Sequence, residues 1–218
     1  MTAQTLAFDE ALRETYPMIA GCDEVGRGCL AGPVVTAAVI LPPNTDIVGV
    51  MDSKKIPKDK HEDLARQIFD VAIEVQMGIK SPEEIDELNI LQATKQAMRD
   101  SVNNLNNKPD LVLIDGNDKQ LLGTEYTEQT VIKGDHHSLT IGAASVIAKY
   151  VRDQIMQNAD KDYPGYGFST NAGYGTAKHL SALAELGITP LHRKTFKPIA
   201  QNIGIWATND IATHTTNQ

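Results

Sequence analysis

Short apolar runs alternate along the chain with longer amphipathic segments, a pattern typical of an α/β domain. Five runs have the length and composition of strands, and they cover residues 18–24, 34–41, 71–80, 110–115 and 129–133. The second run is apolar at nearly every position, so we expect it to be buried on both faces. Tight turns join the early strands and helices separate the later ones. Together they predict a mixed five-stranded sheet flanked by helices.

Five further segments have the apolar period or the end signals of helices, and they cover residues 57–69, 82–88, 90–105, 138–156 and 176–186. The clearest helix start is Ser81-Pro82-Glu83-Glu84, in which a cap residue, a proline and two acids follow one another. The helix over 138–156 has small residues on its apolar face. We therefore expect that helix to pack closely against the sheet.

The chain of 218 residues is long enough for one domain with a full core. We predict an N-terminal arm over 1–17, one domain over 18–198 that includes a helical C-terminal extension, and a polar tail over 199–218. No apolar run approaches the roughly 18 residues of a membrane helix. Residues 1–16 lack the basic and apolar regions of a signal peptide. We expect a cytoplasmic protein that makes no membrane contact.

The two cysteines, Cys22 and Cys29, suit neither a disulfide framework nor a zinc knuckle. We expect both to be reduced and to act as small hydrophobic residues.

The net charge of −8 argues against a protein that coats nucleic acid through bulk electrostatics. The charge is unevenly spread, because basic residues concentrate in 52–60 and in 161–197. Acids that bind a divalent cation also count as negative in this sum. Nucleic-acid binding at local basic patches is therefore still compatible with the composition.

Acidic residues stand near the ends of three predicted strands. Asp23 and Glu24 close the first strand, Asp115 closes the fourth and Asp135 follows the fifth. Ligands of α/β sheets bind at the carboxyl ends of strands, so we expect these acids to converge. Packed together, they would raise one another's pKa unless divalent cations neutralised them. Oxygen ligands select Mg²⁺ or Mn²⁺, and two such ions about 4 Å apart suit in-line phosphodiester hydrolysis.

Three features have an alternative interpretation in the sequence alone. Asp23 and Glu24 can simply end a strand in solvent. His136 and His137 follow an acid and can be ligands or proton carriers, but adjacent loop histidines are commonly solvated. Tyr174 lies between two glycines, where it can stack on a sugar or base or pack into the core.

A glycine-rich turn follows the first pair of acids. Gly26 and Gly28 flank Arg27, so the backbone there can approach a ligand closely or adopt positive φ. The turn lacks the Lys-Ser/Thr of a phosphate-binding loop and the third glycine of a dinucleotide-binding fold, so we reject both motifs. We interpret residues 18–36 as a site for a metal ion and a phosphodiester.

The chain contains several short motifs that are highly specific in combination. They are Asp23-Glu24-Val25-Gly26-Arg27-Gly28, Leu30-Ala31-Gly32-Pro33-Val34, Asp52-Ser53-Lys54-Lys55, Leu113-Ile114-Asp115-Gly116, Lys133-Gly134-Asp135, Ala143-Ala144-Ser145-Val146-Ile147-Ala148-Lys149, Gly173-Tyr174-Gly175-Thr176 with His179, and His192-Arg193. On these motifs the chain resembles ribonuclease HII, the bacterial type 2 ribonuclease H, from about residue 18 to residue 198. Only 22 residues precede Asp23, too few for the large N-terminal domain of the related ribonuclease HIII. We therefore expect the HII type.

The resemblance implies a ribonuclease H-like fold and a metal-dependent endoribonuclease. Its expected substrates are RNA-DNA hybrids and duplex DNA with embedded ribonucleotides, cleaved to leave a 3′-hydroxyl and a 5′-phosphate. It also implies that Asp23, Glu24, Asp115 and Asp135 are catalytic and bind Mn²⁺ or Mg²⁺, with two ions when substrate is bound. Water is then the nucleophile, and no protein group needs to attack.

The resemblance also implies which residues contact the substrate. Gly26, Arg27 and Gly28 would read the ribose 2′-hydroxyl, the only group that locally distinguishes RNA from DNA. Tyr174 matches a tyrosine that packs on the neighbouring sugar at an RNA-to-DNA junction. Candidates for phosphate contact are Lys54, Lys55, Ser145, Lys149 and Arg193.

The chain departs from the family pattern at two positions. Cys29 stands where proline is usual, and Ala172 stands where a lysine commonly precedes Gly173. Neither position is a carboxylate. The alternatives to a hybrid-cleaving enzyme are a ribonuclease H-like nuclease for other structures, such as DNA junctions, and a non-catalytic module that binds hybrids. We expect a monomer.

Overall fold

The structure, a computed structural model, describes residues 3–50, 58–117 and 122–205. The strands are β1 (Ile19–Val25), β2 (Val34–Ile40), β3 (Glu74–Lys80), β4 (Leu111–Asp115) and β5 (Glu128–Val131). The helices are α1 (Ala3–Arg13), α2 (Lys58–Val71), α3 (Pro82–Leu88), α4 (Ile90–Asn103), α5 (Gly134–His137), α6 (Leu139–Asp162), α7 (Phe168–Asn171), α8 (Ala177–Leu186) and α9 (Lys197–Ala200). No helix in these ranges is long and apolar enough to cross a membrane.

The five strands form one sheet in the order β3-β2-β1-β4-β5. β1 pairs antiparallel with β2 and parallel with β4, and β4 pairs parallel with β5. The predicted mixed five-stranded sheet with flanking helices is therefore confirmed. Parallel pairing places the carboxyl ends of β1, β4 and β5 at one edge of the sheet.

The chain divides into two compact units. The first, called here the sheet unit, contains residues 1–25, 35–79 and 94–151, and the second, the helical unit, contains 26–34, 80–93 and 152–218. Each unit draws on segments that are far apart in the sequence. Our division into 1–17, 18–198 and 199–218 follows the sequence instead, and it stays a prediction.

In the sheet unit, the core lies on both faces of the central strands. All seven residues of β2 are buried, as their continuous apolar run predicts. Gly21 of β1 lies against the first turn of α6, where a β-carbon would fall within contact distance of the Thr140 and Ile141 backbone. The predicted close approach of this helix to the sheet is confirmed. It depends on a glycine in the strand as well as on small residues in the helix.

In the helical unit, a separate apolar core forms around Tyr166, Phe168 and Leu183. The predicted helix signals are confirmed here. The Ser81 hydroxyl and the Glu84 carboxylate form a reciprocal capping box at the start of α3. Thr176 caps α8, which extends to Leu186 and ends at Gly187. Helices α7, α8 and α9 form the predicted C-terminal helical extension.

Several element boundaries differ from the prediction. β3 begins at Glu74 because α2 continues to Val71, and α6 extends beyond the predicted end to Asp162. β5 ends at Val131, and the chain then turns through Lys133, which has a φ of 55°. Asp135 therefore lies in the short helix α5 and does not directly end a strand.

Candidate active site

Asp23 and Glu24 lie in β1 at the point where its pairing with β4 has ended but its pairing with β2 continues. β1 pairs with β2 through Val25, but its last pair with β4 joins Cys22 and Ile114. Asp23 is 6% exposed, and its Oδ1 accepts a hydrogen bond of 2.7 Å from the Glu24 amide. The strand thus continues one residue past the predicted end. The space beside the two acids arises because β4 no longer pairs with β1 after Cys22.

The pKa of Asp23 is raised well above its usual range. Burial is the main cause, and the charges of Glu24 and Asp115 add to it. Hydrogen bonds from the Ser145 hydroxyl and from the Glu24 amide lower this pKa. The expected repulsion among these acids is confirmed for Asp23. A cation beside this group would stabilise its ionised form.

Asp115 is hydrogen-bonded to the residue that precedes Asp135. Asp115 is the last residue of β4, directly after the final β1–β4 pair. Its Oδ1 accepts a hydrogen bond of 2.6 Å from the amide of Gly134, the residue before Asp135. The Asp135 side chain is buried, and its Oδ2 lies 3.9 Å from Nε2 of the exposed His136. The hydrogen bond from the Gly134 amide to Asp115 connects the turn after β5 to the end of β4.

The donors at this edge fit a hard divalent cation. Asp23 interacts electrostatically with Glu24 and with Asp115, and all three offer carboxylate oxygens, the ligands that Mg²⁺ and Mn²⁺ prefer. Within the described ranges, no three His, Cys, Asp or Glu side chains are close enough to form a complete metal cluster. The structure thus brings Asp23 within electrostatic range of Glu24 and Asp115, but among the described residues the four predicted acids do not form one ligand cluster.

The Gly26-Arg27-Gly28 turn belongs to the helical unit. Gly26 is buried with a φ of 96°, whereas Arg27 and Gly28 are exposed. A β-carbon on Gly26 would collide with Nε of Arg152, so no larger residue fits there without movement. A β-carbon on Gly28 would meet nothing within 4 Å. The first glycine is needed for packing, and the second faces open space.

Tyr174 is 46% exposed, which excludes the alternative of a core aromatic. The loop before it takes left-handed conformations at Ala172, with a φ of 49°, and at Gly173, with a φ of 81°. The Gly173 carbonyl accepts a hydrogen bond of 2.8 Å from the Leu30 amide. Burial and a hydrogen bond with the fully buried Cys29 raise the pKa of the Tyr174 hydroxyl. Both cysteines are buried thiols, as predicted.

The five candidates for phosphate contact fall in different environments. Lys54 and Lys55 lie outside the described residues. Ser145 and Lys149 are partly buried on α6, and the Ser145 hydroxyl bonds to Asp23. Arg193 is fully buried and donates to backbone carbonyls. A guanidinium with no exposed surface is not placed to touch a phosphate, so its position differs from the prediction.

Arg152 was missed in the sequence. It is 1% exposed and donates to the carbonyls of Pro33, Ala31 and Ala172, at 2.8, 3.0 and 2.8 Å. The available signal was its place in α6 one turn after Ala148, on a stripe of otherwise small and apolar residues. A charge on a buried helix face needs several hydrogen bonds, and three carbonyls supply them.

Two buried histidines form a directed hydrogen-bond chain. The Thr189 amide donates to Nδ1 of His192 at 2.8 Å, so the neutral His192 ring carries its proton on Nε2. That Nε2 lies 3.0 Å from Nε2 of His179, whose Nδ1 lies 2.9 Å from the Tyr174 carbonyl. Each nitrogen has one role, and the chain ends on the backbone of Tyr174. A second proton on either ring would set two donors against each other.

We predict that this pair makes folding sensitive to acid. Burial, with the nearby His179, lowers the pKa of His192 to about 3. The unfolded state, with a histidine pKa of about 6.5, therefore binds more protons between these values, and stability falls as pH drops through this range. From pH 7.5 to pH 5, one such group removes about 2 kcal/mol. Urea unfolding should show that the wild type loses this much more free energy of unfolding than His192→Gln over the same pH range. An equal dependence of the two proteins on pH would contradict the prediction.

Comparisons with known proteins agree with this architecture. The family model of ribonuclease HII matches residues 20–199. Ribonuclease HII of Latilactobacillus sakei subsp. sakei (strain 23K) is 49% identical over 205 residues, which cover 91% of this chain and 80% of that protein. The crystal structure of ribonuclease H2 from Pyrococcus horikoshii OT3 superposes with a TM-score of 0.76 at 26% identity, covering 84% of this chain and 96% of that one.

A second similar structure is that of Bst ribonuclease HIII, solved in complex with Mn²⁺. It has a TM-score of 0.67 at 20% identity and covers 86% of this chain and 70% of that one. The sheet order and the similarity to ribonuclease H2 define a ribonuclease H-like fold, and the family that the sequence matches consists of endoribonucleases. Because the family model spans most of the sequence, the chain belongs to the ribonuclease HII family, as the motifs predict.

Proposed function

We propose that this chain hydrolyses the RNA strand of RNA-DNA hybrids and nicks duplex DNA on the 5′ side of embedded ribonucleotides, leaving a 3′-hydroxyl and a 5′-phosphate. The observation that carries the proposal is the buried Asp23, whose pKa is raised beside Glu24 and Asp115 at the ends of two parallel strands. Such a site gains stability from a divalent cation, which is what metal-dependent phosphodiester hydrolysis requires.

Asp23, Glu24, Asp115 and Asp135 are the proposed ligands of Mn²⁺ or Mg²⁺, with two ions when substrate is bound. The ions would supply Lewis acidity that makes the phosphorus more open to attack by water. The protein contributes the placement of the acids. The Ser145 hydroxyl holds Asp23, and the Gly134 amide holds Asp115, so both carboxylates are oriented before a cation arrives.

Gly26, Arg27 and Gly28 are the proposed readers of the ribose 2′-hydroxyl. Support comes from the exposure of Arg27 and Gly28 and from the open space at Gly28. Tyr174 is the proposed contact for the sugar at an RNA-to-DNA junction, supported by its half-exposed ring on a tightly bonded loop. Lys54, Lys55 and Lys149 stay candidates for phosphate contact. We also propose that the protein works as a cytoplasmic monomer.

The test is cleavage of a labelled DNA duplex with one ribonucleotide, in Mn²⁺ and in Mg²⁺, beside an all-DNA duplex of the same sequence. We expect one nick at the 5′ side of the ribonucleotide, and no cleavage of the all-DNA duplex or without a divalent cation. Intact ribonucleotide duplex would refute the proposal. Cleavage of all-DNA junctions would support the rival nuclease, and tight hybrid binding without cleavage would support the non-catalytic module.

A further inference from the structure

Arg193 is a buried cation whose bonds all converge on one loop. Its Nε donates to the Gly32 carbonyl at 3.0 Å, and its Nη2 donates to the same oxygen at 2.8 Å. Nη2 also donates to the Gly26 carbonyl at 2.7 Å, and Nη1 donates to the Arg27 carbonyl at 3.0 Å. The guanidinium thus holds the carbonyls of two consecutive peptide units, at the turn proposed to read the 2′-hydroxyl.

The direction of these carbonyls fixes the direction of the amides that share their peptide planes. The described residues contain no cis peptide bond. In a planar trans peptide the N–H points opposite to the C=O. The Gly26 carbonyl shares its plane with the Arg27 N–H, and the Arg27 carbonyl shares its plane with the Gly28 N–H. Both N–H groups therefore point away from Arg193. Two consecutive amides that face the same side of a turn can both donate to an oxygen ligand there.

A second guanidinium holds the same turn from another direction. Arg152 Nε donates to the Pro33 carbonyl at 2.8 Å and occupies the space where a side chain on residue 26 would lie. Gly26 can pass over Arg152 only because it has no β-carbon, and its φ of 96° starts the turn. The peptide planes at 26–28 are thus constrained by packing as well as by the hydrogen bonds of Arg193.

The charge of Arg193 also strengthens the donors. Burial lowers the pKa of Arg193, to about 10, so it is still protonated near neutral pH. A cation that binds a carbonyl polarises the whole peptide unit, and hydrogen bonds in such chains strengthen one another by about 10–30%. The Arg27 and Gly28 amides therefore become better donors toward an oxygen on the open side.

We propose that Arg193 is a specificity-determining positioning residue, which orients the Arg27 and Gly28 amides toward the 2′-hydroxyl without touching the substrate. This inference rests on the proposed function. It differs from the phosphate contact that the sequence predicts for Arg193. A phosphate contact would alter affinity for ribonucleotide-containing and all-DNA duplexes alike, whereas a positioning role alters mainly the difference between them.

The test measures binding in an Asp115→Asn background, so that substrate stays intact. Dissociation constants are compared for two duplexes of one sequence, with and without a single ribonucleotide, at one salt concentration. Adding Arg193→Lys keeps the charge but cannot hold both carbonyls in the same geometry. We expect the preference for the ribonucleotide duplex to fall roughly tenfold, the value of one or two hydrogen bonds, with all-DNA affinity unchanged within about twofold.

Lys194→Gln is the matched control, because it removes an exposed positive charge from the next residue. It should weaken binding to both duplexes together and leave the preference intact. A folded Arg193→Lys protein that keeps the full preference would overturn the inference. The inference would also fail if the Asp115→Asn protein itself showed no preference although the wild type nicks the ribonucleotide duplex. A wild type that fails to nick it would overturn the proposed function instead.

A second measurement does not depend on how well the Arg193 variant folds. In the Asp115→Asn protein, the NMR signals of the Arg27 and Gly28 amides should shift clearly more with the ribonucleotide duplex than with the all-DNA duplex. Equal shifts would show that these amides do not face the 2′-hydroxyl, and the inference would fail.

Discussion

Replacing Asp115 with asparagine is expected to reduce cleavage of the ribonucleotide duplex at least about 100-fold while the protein stays folded. Loss of an outer partner of a metal ligand already costs 10–100-fold, and this change removes a proposed ligand itself. The fold should survive because the amide oxygen of asparagine can still accept the bond from the Gly134 amide. Single-turnover cleavage gives the rate, and calorimetric titration with Mn²⁺ should show weaker binding.

Asp70→Asn is the matched control, since it removes an equal charge from an exposed position in the sheet unit. Its cleavage rate and Mn²⁺ affinity should equal those of the wild type. If Asp115→Asn kept more than about a tenth of the activity, the proposed metal role of this residue would be refuted. A loss of the folded state would instead indicate that the charged form of Asp115 is needed to hold the turn after β5.

The sheet was predictable because its central strands are covered on both faces. Such strands need unbroken apolar runs, and β2, with all seven residues buried, shows that requirement in its sequence. The place of the acids followed from the same logic, because Asp115 ends an apolar run and parallel pairing sets it beside the end of β1. Strand composition and strand direction together located most of the candidate site.

The position of Asp135 could not be read from its neighbours. A turn through the left-handed Lys133 separates β5 from the four-residue helix that contains Asp135, and no residue there is a usual left-handed former except Gly134. The turn is held by the bond from Gly134 to Asp115, 19 residues earlier in the chain. Local sequence rules do not include such a contact, so they extended the strand too far.

Arg193 was misread for a related reason. A basic residue in a polar segment predicts surface contact with phosphate, and only tertiary structure shows the carbonyls that bury it. Its hydrogen-bond partner Gly32 lies 161 residues away in the sequence. Buried cations that bind backbone carbonyls leave little trace in the sequence, because their partners are backbone groups that every residue supplies.

The adjacent residues His192 and Arg193 connect the two proposed recognition elements of the helical unit. Arg193 holds the carbonyls of Gly26 and Arg27, while His192 holds the Tyr174 carbonyl through His179. One dipeptide thus sets the backbone at both places where the sugar is proposed to bind. A change in either residue should therefore affect substrate discrimination more than it affects the acids of the sheet unit.

Replacing Gly28 with alanine is expected to lower cleavage of the ribonucleotide duplex about 10- to 100-fold without loss of stability. A β-carbon at this position meets no atom within 4 Å, and the backbone is not in the left-handed region, so the folded chain accepts it. The free energy of unfolding should stay equal or rise by about 0.4–1 kcal/mol, because alanine restricts the unfolded chain. The methyl group instead fills space that the proposed ribose contact needs.

Gly204→Ala provides the matched control, because a β-carbon there also meets nothing and the backbone is likewise unstrained. It should change neither stability nor cleavage, so any loss in Gly28→Ala would come from the place of the methyl group. Gly26→Ala could not separate these effects, since its β-carbon would collide with Arg152. Steady-state kinetics and urea unfolding of both variants decide the matter. Unchanged kcat/KM in Gly28→Ala would mean that no substrate atom comes close to residue 28.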